Sequence, residues 1–263
     1  MSGTVPPNSL EAVRAYWNRR PCNIRHSNKM IGSREYFDDL EQRRYFVEPH
    51  IPDFAQFERW KGKRVLEIGC GIGTDAINFA RAGADYAAVE LSDVSLELAR
   101  RRFEIFGLNA DLKVANAEEL SRSFAPSSFD LVYSFGVIHH TPKPRAVIEE
   151  TRKVIRTDGE LRIMLYAQHS WKAIMIEEGF DQPEAQSGCP IALTYSIDEI
   201  HRLLAGQFEA IEVRHAHIFP YVLEKYVKYE YELQPWFKVM PREMFEALAR
   251  HLGWHSLVVA RPI

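Results

Sequence analysis

Residues 65–75, which read VLEIGCGIGTD, constrain the fold of this chain more than any other stretch. The first four are apolar apart from Glu67 and indicate a short buried parallel strand. Gly69, Gly71 and Gly73 predict a tight turn, after which a helix can begin. This arrangement of strand, turn and helix presents bare backbone N–H groups and the positive end of the helix to a ligand. The stretch therefore predicts a ligand site in an α/β fold.

The glycine spacing separates two classes of ligand. The dinucleotide fingerprint G-x-G-x-x-G places its third glycine three residues after the second. Here Thr74 occupies that position and Gly73 comes one residue early. Glu67 adds a carboxylate at the end of the strand, which would repel a pyrophosphate and attract a cationic amino acid or a sulfonium. The spacing disfavours a nicotinamide cofactor.

Composition sets broad limits on the function. At 263 residues with a net charge of −3, the chain can bury one sizeable core and has no overall basic field for nucleic acid. Cys22, Cys70 and Cys189 are far apart, and no His, Cys or carboxylate pattern has metal-ligand spacing, so we expect no disulfide framework and no metal. Residues 1–9 lack an apolar signal region and no run of eighteen apolar residues occurs, which favours a cytoplasmic protein that does not enter membranes.

From residue 63 the sequence alternates between strand and helix patterns. Alternation of this kind predicts a parallel sheet with helices on both faces and a ligand at the carboxyl ends of the strands. Glu90 ends the second strand, about twenty residues after the first glycine, where a carboxylate accepts hydrogen bonds from ribose hydroxyls. The predicted strands are 64–68, 85–89, 111–115, 129–134 and 160–166, and the predicted helices between them are 74–82, 93–107 and 143–155.

Four ordered motifs within residues 60–166 resemble a known family. The first is the E-x-G-x-G-x-G stretch that begins at Glu67, and the second is Glu90, which follows the second strand. The third is NAE at 116–118, and the fourth is FGVIHHTP at 135–142 followed by VIRTDGEL at 154–161. Together they resemble the class I S-adenosylmethionine (SAM) dependent methyltransferases, in the ubiquinone/menaquinone-biosynthesis-like branch (methyltransferase type 11 domain). Three positions depart from that pattern: Asn116 replaces the usual Asp, and Thr157 and Asp158 replace Pro and Gly.

The resemblance implies an α/β, Rossmann-like, doubly wound sheet of seven strands, six parallel and one antiparallel. Residues 1–60 would form an N-terminal helical lid and residues 61–263 the SAM-binding domain. A helical and aromatic substrate cap would be inserted at about 167–195 and 218–240. The implied cofactor is S-adenosyl-L-methionine, held by Glu67, Gly69, Cys70, Gly71, Gly73, Thr74, Asp75, Glu90, Leu91, Ser92, Asn116, Ala117, Glu118, Phe135 and Gly136.

His139 and His140 follow the fourth strand, where either could act as the base that removes a proton from a methyl acceptor. The alternative for both is a packing role. The tyrosine-rich cap could hold a cation against its rings or form a small hydrophobic core. Candidate substrate contacts are Tyr16, Trp17, His26, Tyr36, Tyr166, His169, Tyr195, Tyr221 and Tyr226.

We therefore expect a SAM-dependent methyltransferase that acts on a small molecule, as a monomer or homodimer, with the accepting atom (O, N, S or C) open. A macromolecule-directed methyltransferase is disfavoured because the N/D-P-P-Y motif and a basic extension are both absent. A nicotinamide-dependent oxidoreductase also lacks its Tyr-x-x-x-Lys dyad after the fourth strand. A non-catalytic SAM-binding module is the remaining alternative.

Overall fold

The computed structural model describes residues 6, 8–179 and 188–263. Their strands form one sheet in the order β3-β2-β1-β4-β5-β8-β7, with β6 paired to the outer part of β5. Among these strands β8 runs antiparallel to both β5 and β7, and the other strand pairs are parallel. The strands are β1 Arg64–Ile68, β2 Asp85–Glu90, β3 Asp111–Val114, β4 Phe129–Phe135, β5 Ile155–Ala167, β6 Thr194–Tyr195, β7 Phe208–Ala216 and β8 His255–Pro262.

The predicted doubly wound fold is confirmed, with one correction to the strand count. Seven strands have the expected directions, but the described residues contain an eighth, β6, which has only two residues. A strand this short has no alternating pattern by which the sequence could reveal it.

Helices cover both faces of the sheet. Ser9 caps the first helix through its hydroxyl, and Ser196 with Glu199 forms a capping box at the start of the helix over 197–204. The helices are α1 Leu10–Arg19, α2 Arg34–Val47, α3 His50–Ala55, α4 Thr74–Arg81, α5 Asp93–Phe106, α6 Pro144–Val154, α7 Trp171–Glu177, α8 Ile197–Leu204, α9 Leu223–Tyr226, α10 Pro235–Lys238 and α11 Arg242–Leu252.

Helix α2 is fastened to the sheet domain by buried charges. The fully buried Arg102 of α5 donates to Thr74 Oγ1 at 2.9 Å, to the Phe37 carbonyl at 3.1 Å and to Glu41 at 2.8 Å. These bonds join α2, α4 and α5 at one point. Since an unpaired buried guanidinium is costly, α2 is held firmly in this position.

The aromatic cluster of the cap encloses an arginine of the chain itself. The guanidinium of the buried Arg43 lies 4.2 Å from the Tyr226 ring centroid and 4.4 Å from that of Tyr229, and it donates to the Tyr226 carbonyl at 2.6 Å. Tyr231 lies on the same guanidinium at 5.8 Å. The rings that could have held a cationic ligand therefore anchor the cap to α2.

In the ranges that the structure describes, no helix combines the length and the apolar character needed to cross a membrane. Residues 1–5 and 7 of the expected lid, and 180–187 of the first expected insertion, lie outside the described residues.

Candidate active site

The glycine turn after β1 adopts a backbone that side chains disfavour. Gly69, Gly71 and Gly73 have φ angles of +74°, +54° and +79°. A Cβ on Gly69 would lie 2.3 Å from Val137, whereas a Cβ on Gly71 would meet nothing within 4 Å. Gly71 therefore opens onto free space, and its missing side chain leaves the backbone accessible to a ligand.

Glu90 is held at the end of β2 by the backbone of two loops. Its carboxylate oxygens accept from Gly71 N–H at 2.9 Å and from Ser92 N–H at 2.8 Å. Burial raises the pKa of this carboxyl, and the backbone donors oppose the change. A carboxylate oxygen has a second lone pair, so Glu90 can still accept from two hydroxyls of a ligand.

Glu67 lies at the carboxyl end of β1 and is buried. Tyr86 donates its hydroxyl to the Glu67 carboxyl at 2.5 Å. Burial, together with the nearby Asp75 carboxylate, raises the pKa of Glu67 to about 8. A cation bound beside this carboxyl would favour its ionised form.

Asp75, in the first turn of α4, is almost fully buried among donors of the protein. It accepts from Arg44 at 3.2 Å and from the hydroxyls of Tyr45 and Tyr133, each at 3.0 Å. Arg44 in turn lies 5.5 Å from the Phe135 ring centroid. Asp75 is thus a buried counter-ion for α2 at the edge of the glycine turn.

Three predicted cofactor residues face away from the cavity above the turn. Gly73 packs closely on Ala99 of α5, the Ser92 hydroxyl caps α5, and the Glu118 carboxylate accepts from Lys143 N–H. Their roles here are local packing and capping. The Asn116 carbonyl oxygen accepts from Glu118 N–H at 2.9 Å, which leaves its amide donors and one lone pair for a ligand.

The other predicted cofactor residues line a cavity of about 990 Å³. They are Glu67, Gly69, Cys70, Gly71, Thr74, Asp75, Glu90, Leu91, Asn116, Ala117, Phe135 and Gly136. Helix α1 contributes Leu10, Val13 and Trp17 to the same wall. The structure therefore brings together residues from the ends of β1, β2, β3 and β4.

His139 and His140 have different surroundings. His140 lines the cavity, and its Nδ1 lies 2.6 Å from the Ile191 carbonyl. Because a carbonyl only accepts, Nδ1 carries the proton and Nε2 keeps its lone pair. Burial lowers the pKa of His140 to about 4, so the ring is neutral at pH 7.

His139 is fully buried and lies outside the cavity walls. Its ring centroid is 3.8 Å from that of Tyr166, and neither ring nitrogen has a hydrogen-bond partner among the described residues. Burial lowers its pKa well below the usual range. This is the environment of a packing residue, so the structure separates the two histidines that the sequence left equivalent.

A second cavity of about 1120 Å³ adjoins the first. The two share Trp17, Cys22, Asn23, Arg44, Phe135, Gly136 and His140. Five predicted substrate residues line the second cavity, namely Tyr16, Trp17, His26, Tyr166 and Tyr226.

The other four predicted substrate residues lie away from this cavity. Tyr36 is fully buried and donates to the Ile24 carbonyl at 2.8 Å, while Tyr195 packs against the core beside β5. Tyr221 stacks on Tyr226 behind the wall, and His169 is exposed. Helical spacing placed Tyr36 correctly on α2 but gave no information on which face of the helix meets the cavity.

Sequence reasoning missed several polar residues of the second cavity. Glu48, His217 and His255 line it together with Lys172 and the shared Arg44. They belong to segments far apart in the chain, so no spacing pattern connects them. A weak signal was available for His217 and His255, since they lie next to strands that end at this edge of the sheet.

Comparison with known proteins agrees with this geometry. Residues 65–159 match the family model described as a methyltransferase domain. A ubiquinone biosynthesis O-methyltransferase of Xanthomonas euvesicatoria is 33% identical over 100 residues, 38% of this chain and 41% of the relative. One from Idiomarina loihiensis is 32% identical over 116 residues, 44% and 45% of the two chains. The matched part thus spans less than half of these relatives.

Solved structures extend the likeness to the whole fold. The magnesium protoporphyrin IX methyltransferase of Synechocystis PCC 6803, solved with bound S-adenosylhomocysteine (SAH), has a TM-score of 0.61 at 14% identity, covering 95% of this chain and 98% of its own. A methyltransferase-like protein of Bacillus halodurans has a TM-score of 0.58 at 20% identity, covering 80% and 96%. Residues 65–159 thus match a methyltransferase domain, and the whole chain has the fold of these solved structures.

Proposed function

We propose that this chain is a SAM-dependent methyltransferase whose acceptor is a small molecule bound in the second cavity. The observation that carries the proposal is the common wall of the two cavities around Gly136 and His140. SAM brings an activated methyl group, so the protein must hold donor and acceptor end to end and exclude water. Two adjoining cavities with one shared wall suit that task.

The first cavity would hold SAM in a defined direction. Glu90 would accept from the ribose hydroxyls, and Asn116 would contact the adenine at the far end. Glu67 lies near the other end, where its carboxylate would attract the positive methionine part. The methyl group would then point toward the wall that both cavities share.

We further propose oxygen as the accepting atom. The matched relatives are named O-methyltransferases, and a hydroxyl acceptor benefits from a base at the shared wall. His140 has an unprotonated Nε2 at that wall, held in place by the Nδ1 contact with Ile191. His139 would support the ring stack and take no part in proton transfer.

Helix α1 would act as the lid of the site. Trp17 lines both cavities and its ring centroid lies 5.4 Å from that of His140, in an edge-to-face arrangement. The helix therefore covers the place where methyl transfer would occur. A macromolecular acceptor, including nucleic acid, would have to displace this helix, which favours a small molecule.

Calorimetric titration of the purified chain with SAH tests the cofactor, with NADH as the control titrant. Binding of SAH alone at micromolar or tighter affinity is expected, and binding of NADH alone would refute the proposal. Incubation with SAM and a panel of small hydroxylated compounds should yield a product heavier by one methyl group. Methylation confined to added RNA or protein would refute the small-molecule assignment.

The role of His140 is tested by comparing His140→Ala with His139→Ala, since only the former should lose turnover while keeping SAH affinity.

A further inference from the structure

A cluster of three histidines and a glutamate lies at the wall of the second cavity, outside the residues used above. Glu48 follows α2, His50 begins α3, His217 follows β7 and His255 begins β8. One donor atom each from Glu48, His217 and His255 lie within 4.8 Å of one another. We propose that these three residues bind a divalent transition metal ion, with Zn²⁺ as the representative case.

The distance between two of the donors fits a metal ion better than a direct contact. His255 Nε2 and Glu48 Oε1 are 3.7 Å apart, which is too long for a hydrogen bond. Two ligands at about 2.1 Å from a zinc ion are separated by roughly 3.4–3.7 Å at angles near the tetrahedral value. The His217 donor lies within 4.8 Å of both of these atoms.

The donors are also available. Within the described residues, the side chains of Glu48 and His217 make no hydrogen bond, and both face the cavity. Two imidazoles and a carboxylate form a ligand set typical of zinc and iron sites that keep a position open for substrate.

His50 supplies the second contact that metal-binding histidines usually have. Its Nε2 lies 2.9 Å from His255 Nδ1. If His255 Nδ1–H donates to His50, then His255 Nε2 presents its lone pair toward Glu48. A ligand histidine commonly donates its other ring N–H in this way, which orients the ring.

His217 has a strained backbone at this position. Its φ of +72° is uncommon for a residue with a side chain, and its ring stacks on His255 with centroids 4.6 Å apart. Its carbonyl accepts from Trp254 N–H at 2.9 Å, which helps to hold the conformation. Strain of this kind concentrates at functional sites, because the surroundings must maintain it.

Lys172 and Arg44 line the same cavity, so the metal would lie in positive surroundings. Arg44 also pairs with Asp75 at 3.2 Å, and Glu48 is the carboxylate of the proposed ligand set. A site of this charge would favour an anionic ligand in the open position. On the proposed function, that ligand would be an oxygen of the methyl acceptor.

The test is titration of the chelator-treated, dialysed full chain with Zn²⁺ alone, followed by Co²⁺ as a spectroscopic probe. We expect one Zn²⁺ per chain and a visible Co²⁺ spectrum of low coordination number. His217→Gly removes the imidazole and tolerates the positive φ, and Glu48→Gln removes the charge. Each should weaken Zn²⁺ binding at least tenfold, while the exposed control His251→Ala should bind as the wild type does.

No stoichiometric Zn²⁺ binding by the wild type, or unchanged binding by His217→Gly, would overturn the metal site. SAH titration of the same samples keeps this result separate from the proposed function. Neither Glu48 nor His217 lines the first cavity, so both variants should bind SAH normally. Loss of SAH binding by the wild type would instead refute the cofactor assignment and leave the metal result standing.

Discussion

Replacing Gly71 by alanine separates the cost of a strained backbone from the cost of a blocked cofactor site. Gly71 has a φ of +54°, and an added Cβ would project into open space in the first cavity. An L-residue in this left-handed region costs about 1–2 kcal/mol. A chain of this size loses about 2–4 °C of Tm for each kcal/mol, so Gly71→Ala should melt a few degrees lower and remain folded.

Gly107→Ala is the matched control. Gly107 ends α5 with a φ of +66°, also has nothing within 4 Å of an added Cβ, and lies outside both cavities. Both variants should lose similar stability by thermal melting, but only Gly71→Ala should lose SAH affinity. We expect at least tenfold weaker binding, equal to about 1.4 kcal/mol, because the methyl group prevents close approach to the backbone. Equal SAH affinity in the two variants would refute the assignment of Gly71 to the cofactor site.

Three further predictions concern the glutamates and the arginine described above. Glu90→Gln should weaken SAH binding at least tenfold by calorimetry, because an amide nitrogen would face Gly71 N–H or Ser92 N–H, both donors. SAM affinity should rise with pH toward pH 8, by as much as about tenfold per unit. Glu67 must lose its proton to attract the cation, and burial raises the pKa of Glu67 to about 8. Glu67→Gln should bind SAM weakly with a flat pH profile, and an unchanged slope in that variant would exclude Glu67 as the titrating group. Arg43→Met should lower the free energy of unfolding in urea by about 2 kcal/mol, because it removes the buried cation from the tyrosine rings and the hydrogen bond to the Tyr226 carbonyl. A decrease below about 0.5 kcal/mol would show that the rings do not hold the cap through this residue.

The walls of the first cavity were predictable because their determinants are local. Gly69, Gly71 and Glu67 lie within one strand and turn, and Glu90 follows from the regular length of a strand-helix-strand unit. Each of these residues sits at the end of a parallel strand, and parallel strands end at one edge of the sheet. The sequence did not reveal which of these residues also have a local partner, as Ser92 does, whose hydroxyl caps the helix that follows it.

The second cavity was not predictable in the same way. Its polar residues come from the end of α2, from α7 and from both sides of the β7–β8 pair, so only the folded chain brings them together. Tyr36 illustrates the difficulty, because an aromatic residue at helical spacing predicts a buried face without saying what covers it. The tyrosines of the cap were recognised as a cluster, but their partner Arg43 lies 183 residues from Tyr226 in the sequence.

Helix α2 has a larger role than a lid. Its consecutive residues Arg43 and Arg44 point about 100° apart, as neighbours on a helix do. Arg43 holds the tyrosines of the cap, whereas Arg44 pairs with Asp75 at the glycine turn. One turn of α2 therefore connects the wall of the second cavity to the wall of the first. We infer that removing residues 1–60 would leave Asp75 and Arg102 as unpaired buried charges and destabilise the sheet domain, whereas removing α1 alone would open the site and preserve the fold.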